Sequence, residues 1–262
     1  QILQSLPQAI QTMLDPADCG PACLSLCQDV QGETFEYPEE FFKERVHNIR
    51  RPKPDDFQIK QAVERIKNSK NPIIISGGGV FYSDAMEELS NFAVKHNIPV
   101  TQTVMGYSTM KRDHSHFVGP IGGLGGKAAN NLAKETDLAI CIGTKLADFT
   151  TGSWANFENP QFKLVSINIA RHDANKHLAE AVIGDAKVSL IELSNALGDW
   201  RSSDSWHKKS QDELKSWNEY VDKESGPTNQ ELPSYAHAVG AIYRNSDPTD
   251  IAVTAAGGLV GE

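Results

Sequence analysis

No stretch of the 262-residue sequence is apolar for long enough to cross a membrane. No segment has the charged, apolar and small-residue pattern of a secretory signal. Positive charge is scarce and scattered: 25 Lys and Arg stand against 34 Asp and Glu, a net charge of −9. Binding to a phosphate backbone needs clustered cations, so a nucleic-acid partner is excluded. Cysteine is rare as well, with four residues and no C-x-x-C pair. Cys19, Cys23 and Cys27 recur every fourth residue in "CGPACLSLC". They read as small buried hydrophobes in a reducing, cytoplasmic compartment rather than as metal ligands. There is no G-x-S-x-G elbow and no H-E-x-x-H helix, so the sequence holds no self-contained catalytic constellation and no metal set.

What is present is an alternation of apolar runs and helical periods. Residues 1–32 read as a helix around Pro7–Leu14, a loop, and a strand "ACLSLC". One helix and one strand cannot bury each other's faces, so this segment reads as the remnant of a domain. Residues 33–56 are rich in charge and proline and read as a linker. From 57 to 200 the pattern changes. Ile59, Ala62, Val63 and Ile66 recur at helical spacing and lead into the strand "PIIIS". Ser83 is the expected N-cap of a helix whose apolar face carries Met86, Leu89, Phe92 and Ala93. Strands "IPVTQT", "DLAICIG", "KLVSINI" and "AVIG" follow, separated by loops and helices. Strands apolar on both faces and alternating with helices predict an α/β domain: a Rossmann-like parallel sheet with helices on both faces. Residues 201–231 read as a linker helix. In 232–262, "YAHAVGAIY" reads as a helix and "DIAVTAAGG" as a buried strand entering a glycine turn. Both ends therefore read as partial α/β domains flanking one complete domain.

The first strand ends in "SGGGVFYSDA". Gly77, Gly78 and Gly79 stand between a strand and a helix, the setting in which backbone N–H groups hold phosphate. The full dinucleotide fingerprint is G-x-G-x-x-G, and here Tyr82 occupies the third glycine position. No acidic residue ends the second strand, where a ribose would be gripped. A nucleotide cradle, with Asp185 further along, and a tight strand-to-helix bend both remain open. The loop glycines Gly122, Gly123, Gly125 and Gly126 could let a backbone approach a ligand closely or form a flexible loop before a helix. His114 and His116 could form a metal pair but lack a nearby carboxylate–histidine constellation, and the group His172, Asp173 and His177 reads as a solvated cap at a helix start.

The order of these segments resembles that of the thiamine-diphosphate enzymes of the acetohydroxyacid synthase and pyruvate oxidase type. "GPACLSLCQDVQGE" resembles the last strand of their pyrimidine-binding domain, with Cys27 where proline is usual. "PIIISGGGVFYSDA", "IPVTQTVMG", "DLAICIGTKLADFTTGS" and "AVIGDAKVSL" resemble middle-domain segments. "AAGGLVGE" resembles the start of the diphosphate-binding domain, with Val260 where proline is usual. Within the family, "FEYPEEFFKERVHNI" and "INIARHDANK" resemble the hydrolase branch of inositol catabolism.

The resemblance implies a small-molecule substrate, trihydroxycyclohexane-1,2-dione, whose ring opens by C–C cleavage with addition of water. It implies thiamine diphosphate and Mg²⁺ as cofactors and a homodimer or homotetramer. It puts no catalytic residue in this sequence. Gly257 and Gly258 match positions on the diphosphate side. Asn168 and Ala170 stand where carboligases carry acidic residues, which argues against FAD. A carboligase of the same family, a FAD- or ADP-binding module and a domain serving assembly alone are the alternatives.

Overall fold

The computed structural model describes residues 1–247 and 249–253. Its centre is a six-stranded, all-parallel sheet in the order β3-β2-β1-β4-β5-β6. The elements, in chain order, are α1 (Ile2–Leu14), α2 (Asp56–Lys67), β1 (Pro72–Ser76), α3 (Gly78–Tyr82), α4 (Met86–His96), β2 (Val100–Gln102), β3 (Phe117–Pro120), α5 (Lys127–Glu135), β4 (Leu138–Ile142), α6 (Asp148–Thr151), β5 (Lys163–Asn168), α7 (Arg171–Ala174), β6 (Glu180–Ile183), α8 (Ala186–Leu197), α9 (Asp204–Glu224) and α10 (Tyr235–Asn245). The strand order reverses between β1 and β4, which makes that junction the topological switch point of a Rossmann-like sheet. No described helix is long and apolar enough to cross a membrane.

The apolar runs follow from burial on both faces. Side chains alternate across a strand, so Ile74, Ile140 and Val165 face one core while Ile73, Ile75 and Cys141 face the other. The first core is closed by α2, α4 and α8, through Ile59, Val63, Leu89, Phe92, Leu190 and Leu193. The second is closed by α5, whose small Ala128, Ala129 and Ala133 let it lie close to the strands. Each fully buried isoleucine contributes about 1.5–3 kcal/mol. Caps fix the helix starts. Asp55 accepts from the Phe57 amide at 2.8 Å, and Ser203 accepts from the Trp206 amide at 3.2 Å.

Helix α9 lies past residue 200 and nevertheless belongs to this body. Trp206 is 3% exposed and sits in the second core. Its indole Nε1 donates to the Pro72 carbonyl at 2.8 Å, which satisfies the one polar atom of a buried ring.

Four sequence expectations differ from the structure. The segment "ACLSLC" forms no strand, and Cys19, Cys23 and Cys27 are exposed. A strand needs a neighbouring edge, and none lies beside these residues. For the same reason 251–253 carry no strand, with Ile251 89% exposed; residues 254–262, including Gly257 and Gly258, lie outside the described residues. Ser83 is no N-cap. The chain enters the one-turn helix α3 straight from the glycines, turns at Asp84 (φ 52°), and begins α4 after Ala85. The sixth strand, β3, was not expected. It is a four-residue edge strand ending in proline. Its register slips between Val100 and Thr101, and Gly119 takes φ +102° there, the geometry of a bulge.

The start of β3 also anchors α9 through a group of histidines. His116, 6% exposed, stacks on His207 of α9 with ring centroids 4.2 Å apart. His116 Nε2 lies 3.2 Å from Asn97 Oδ1, and the Asn97 amide donates to Asp204 at 3.1 Å. Burial pushes the His116 pKa down to about 4, helped by the neighbouring His207, His114 and Arg201. His96, His114 and His207 are lowered in the same direction, each chiefly by burial, while Asp204 pulls His207 and Asp113 pulls His114 the other way.

Between about pH 4 and pH 6.5 a histidine depressed this far is neutral in the folded protein and protonated in the unfolded chain. Its contribution is therefore present above the unfolded value of 6.5 and lost as pH falls towards 4. Of the fall in stability that urea unfolding should show over that window, His116 should contribute ~3 kcal/mol, so H116Q should make the profile shallower while the lowered His96, His114 and His207 keep it sloping. A stability unchanged between neutral pH and pH 4 would contradict the placement of His116.

Candidate functional site: the carboxyl edge of the sheet

Ligands of open α/β sheets bind beyond the carboxyl ends of the strands, at the switch point. In this structure the loops there are packed on one another. The Gly77 amide donates to the Ile142 carbonyl at 2.8 Å, and the Gly79 amide donates to the Gly143 carbonyl at 3.0 Å. Gly143, at φ +59°, in turn donates to Ile167 at 2.8 Å. These are close approaches of backbone to backbone. A Cβ on Gly77 would meet the Gly143 carbonyl and lie 2.6 Å from Thr144 Cβ; one on Gly79 would lie 2.6 Å from Gly143 Cα. Gly78 faces the other way, with a Cβ position 3.0 Å from the Met105 carbonyl.

The loop after β2 closes that second side. A Cβ on Gly106 would overlap the Ser76 carbonyl. Ser76 Oγ and Thr109 Oγ1 are 2.8 Å apart, and Thr109 donates to the Gly106 carbonyl at 2.7 Å. The glycines therefore serve a three-way joint between the loops after β1, β2 and β4. Gly143 and Gly106 are the partners that sequence reasoning missed. For Gly143 the signal was present: "CIGTK" puts a glycine directly after a fully apolar strand, as "IISGG" does.

The other candidates have partners of their own. Asn168, at the end of β5, donates to the Thr144 carbonyl at 3.2 Å and accepts from the Ala170 amide at 2.9 Å. Asp185 is 2% exposed and caps α8 by accepting from Val188 at 3.2 Å. Its other oxygen pairs with Arg51 at 3.1 Å, and Arg51 also donates to the Ser83 carbonyl. Arg51 thus ties the start of α8 to the end of α3, which brings Asp185 towards the glycine turn with its carboxylate already engaged. Gly122 is bonded in both directions to the Asn130 amide, at 2.9 and 3.0 Å, and Gly123 donates to Phe149 at 2.7 Å.

The histidines stand apart. His114 Nε2 lies 2.9 Å from Ser90 Oγ, while His177 packs against Trp154. Asp173 pairs with Lys176 at 2.5 Å. Among the described residues no group of three or more His, Cys, Asp or Glu is placed to hold a metal. The rim of the edge is apolar instead: Phe81, Tyr82, Met105, Tyr107 and Phe149 are all exposed on these loops.

Comparison with known proteins agrees with this architecture. The family profile described as the thiamine pyrophosphate enzyme, central domain, matches residues 59–193. A Clostridium perfringens (strain 13 / Type A) protein named 3D-(3,5/4)-trihydroxycyclohexane-1,2-dione hydrolase is 42% identical over 219 residues, covering 84% of this chain and 34% of that protein. A protein named as hydrolase 1 of the same kind, from Bacillus cereus (strain ZK / E33L), is 44% identical over 205 residues, covering 78% and 32%. The hydrolase of that name from Bacillus anthracis (strain A0248) is 36% identical over 286 aligned residues, covering 100% of this chain and 44% of that protein. The chain thus spans about a third to under a half of the length of these relatives. With the profile spanning the sheet from α2 to α8, the chain belongs to the thiamine pyrophosphate enzyme family and carries its central domain.

Proposed function

We propose that this chain is the central portion of a thiamine-diphosphate-dependent hydrolase that opens the ring of trihydroxycyclohexane-1,2-dione. The observation that carries the reading is the 42% identity, over most of the chain, to a hydrolase of that name. Thiamine diphosphate, held with Mg²⁺, would supply the electron sink for C–C cleavage. None of the described residues is assigned a chemical step. Gly257 and Gly258 remain our candidates for the diphosphate side. The protein is proposed to work in the cytoplasm as a homodimer or homotetramer, and the exposed aromatic rim of the carboxyl edge suits a domain packed within such an assembly. The full-length protein, given thiamine diphosphate, Mg²⁺ and the dione, should convert the ring to an open-chain acid followed by NMR. The 262-residue chain alone should convert none. Acetolactate formation from pyruvate by the full-length protein, with no turnover of the dione, would replace this reading with the carboligase one.

For Gly77, Gly78, Gly79 and Asp185 we favour a structural role over a nucleotide cradle, and with it a domain that works without FAD. Two of the three glycine amides and the Asp185 carboxylate already have protein partners. A methyl group at residue 77 has no space beside Thr144. Gly77→Ala should therefore lower stability by about 1–3 kcal/mol in urea unfolding without any ligand present. An unchanged midpoint would return the turn to the cradle reading.

A further inference from the structure

A groove lies away from the carboxyl edge, where β5 and β6 begin. It is an open pocket of about 460 Å³ lined by Arg65, Trp154, Phe162, Lys163, His177 and Glu180, among others. That volume is in the range of small-molecule sites, about 300–1,000 Å³.

One wall is aromatic and anchored. Trp154, Phe157 and Phe162 pack against the second core. Phe157 stacks on Phe162 at 4.5 Å, and the Trp154 ring meets His177 edge-on at 4.6 Å. The backbone that aims these rings is held in the left-handed region at two adjacent pairs. Ser153 and Trp154 have φ 54° and 69°; His177 and Leu178 have φ 60° and 58°. None of the four is glycine, and each such residue costs ~1 kcal/mol or more, a cost that clusters at ligand clamps. Leu178 gains nothing by its position in return, since its side chain is fully exposed at the mouth.

The rest of the lining includes charged residues. Arg65 faces Glu180 at 3.6 Å, so these two largely offset each other. Lys163 makes no ion pair among the described residues. The pocket therefore combines flat π surfaces with one unmatched cation on a rigid strand.

We propose that this pocket binds a small planar aromatic molecule carrying an anionic group, its ring against Trp154 and His177 and its charge on Lys163. The site is independent of the hydrolase reading, because it lies at the opposite end of the strands from the loops discussed above.

The probe is 2-naphthoate, titrated calorimetrically into the full-length protein, with neutral 2-naphthamide as control. We expect saturable binding at one site per chain and weaker binding of the amide. K163Q should weaken naphthoate about tenfold and bring it level with the amide, while W154A should abolish both. Where W154A fails to fold, H177A replaces it, with weakened binding of both probes expected. Absence of saturable binding at millimolar probe overturns the proposal. So does binding that survives K163Q and W154A, or survives K163Q and H177A, unchanged, which would place the probe elsewhere. Equal affinity for the amide and the acid in the unsubstituted protein overturns it too, since Lys163 would then select nothing.

Discussion

Two glycine turns pressed against each other, Gly77–Gly79 after β1 and Gly143 after β4, set the form of the whole carboxyl edge. The strand order reverses between these two strands, and a switch point normally leaves a crevice there. The turns fill it. With no Cβ on either side, the Gly79 amide reaches the Gly143 carbonyl at 3.0 Å. Gly106 closes on Ser76 from the flank, and Asn168 ties the Thr144 carbonyl to the turn after β5. The joint thereby holds the loops of four strands in register with one another. Any side chain at Gly77 or Gly79 would force the two central strands' loops apart.

Around that joint the sheet is closed from both sides by different means. The first face uses large aliphatic residues on α2, α4 and α8. The second uses the alanine-lined α5 together with Trp206 of α9. Helix α9 is therefore bound at its start, through a buried indole hydrogen bond and the His116–His207 stack. Beyond Ser210 none of its residues is fully buried, and Leu214 and Trp217 pack on the second core from its surface. Neutral imidazoles stack without cost, whereas two imidazolium rings at 4.2 Å would repel, which couples the seating of α9 to protonation.

How far the sequence showed this depends on the kind of signal. Strands β1, β4 and β5 were legible because burial on both faces turns them into unbroken apolar runs, and α2 because Ile59, Ala62, Val63 and Ile66 mark one helical face. Strand β3 was not, since "FVGP" is short and its glycine and proline read as a turn; only pairing with β2 makes it a strand. "ACLSLC" shows the converse: a strand-like pattern without an edge to join stays irregular. At the candidate site the glycines were visible but their partners were not, because Gly77 and Gly143 are brought together only by the pairing of β1 with β4. The same holds for Arg51 and Asp185, which are far apart in the chain and joined across α3 and α8.

We propose that the backbone of Gly143, rather than a ligand, is the partner of the glycine turn. Calorimetric titration of the full-length protein with FAD and with ADP tests it most directly. The packed joint predicts no saturable binding of either. Stoichiometric binding of one of them, lost when a side chain is placed at Gly78, would make the turn after β1 a nucleotide site.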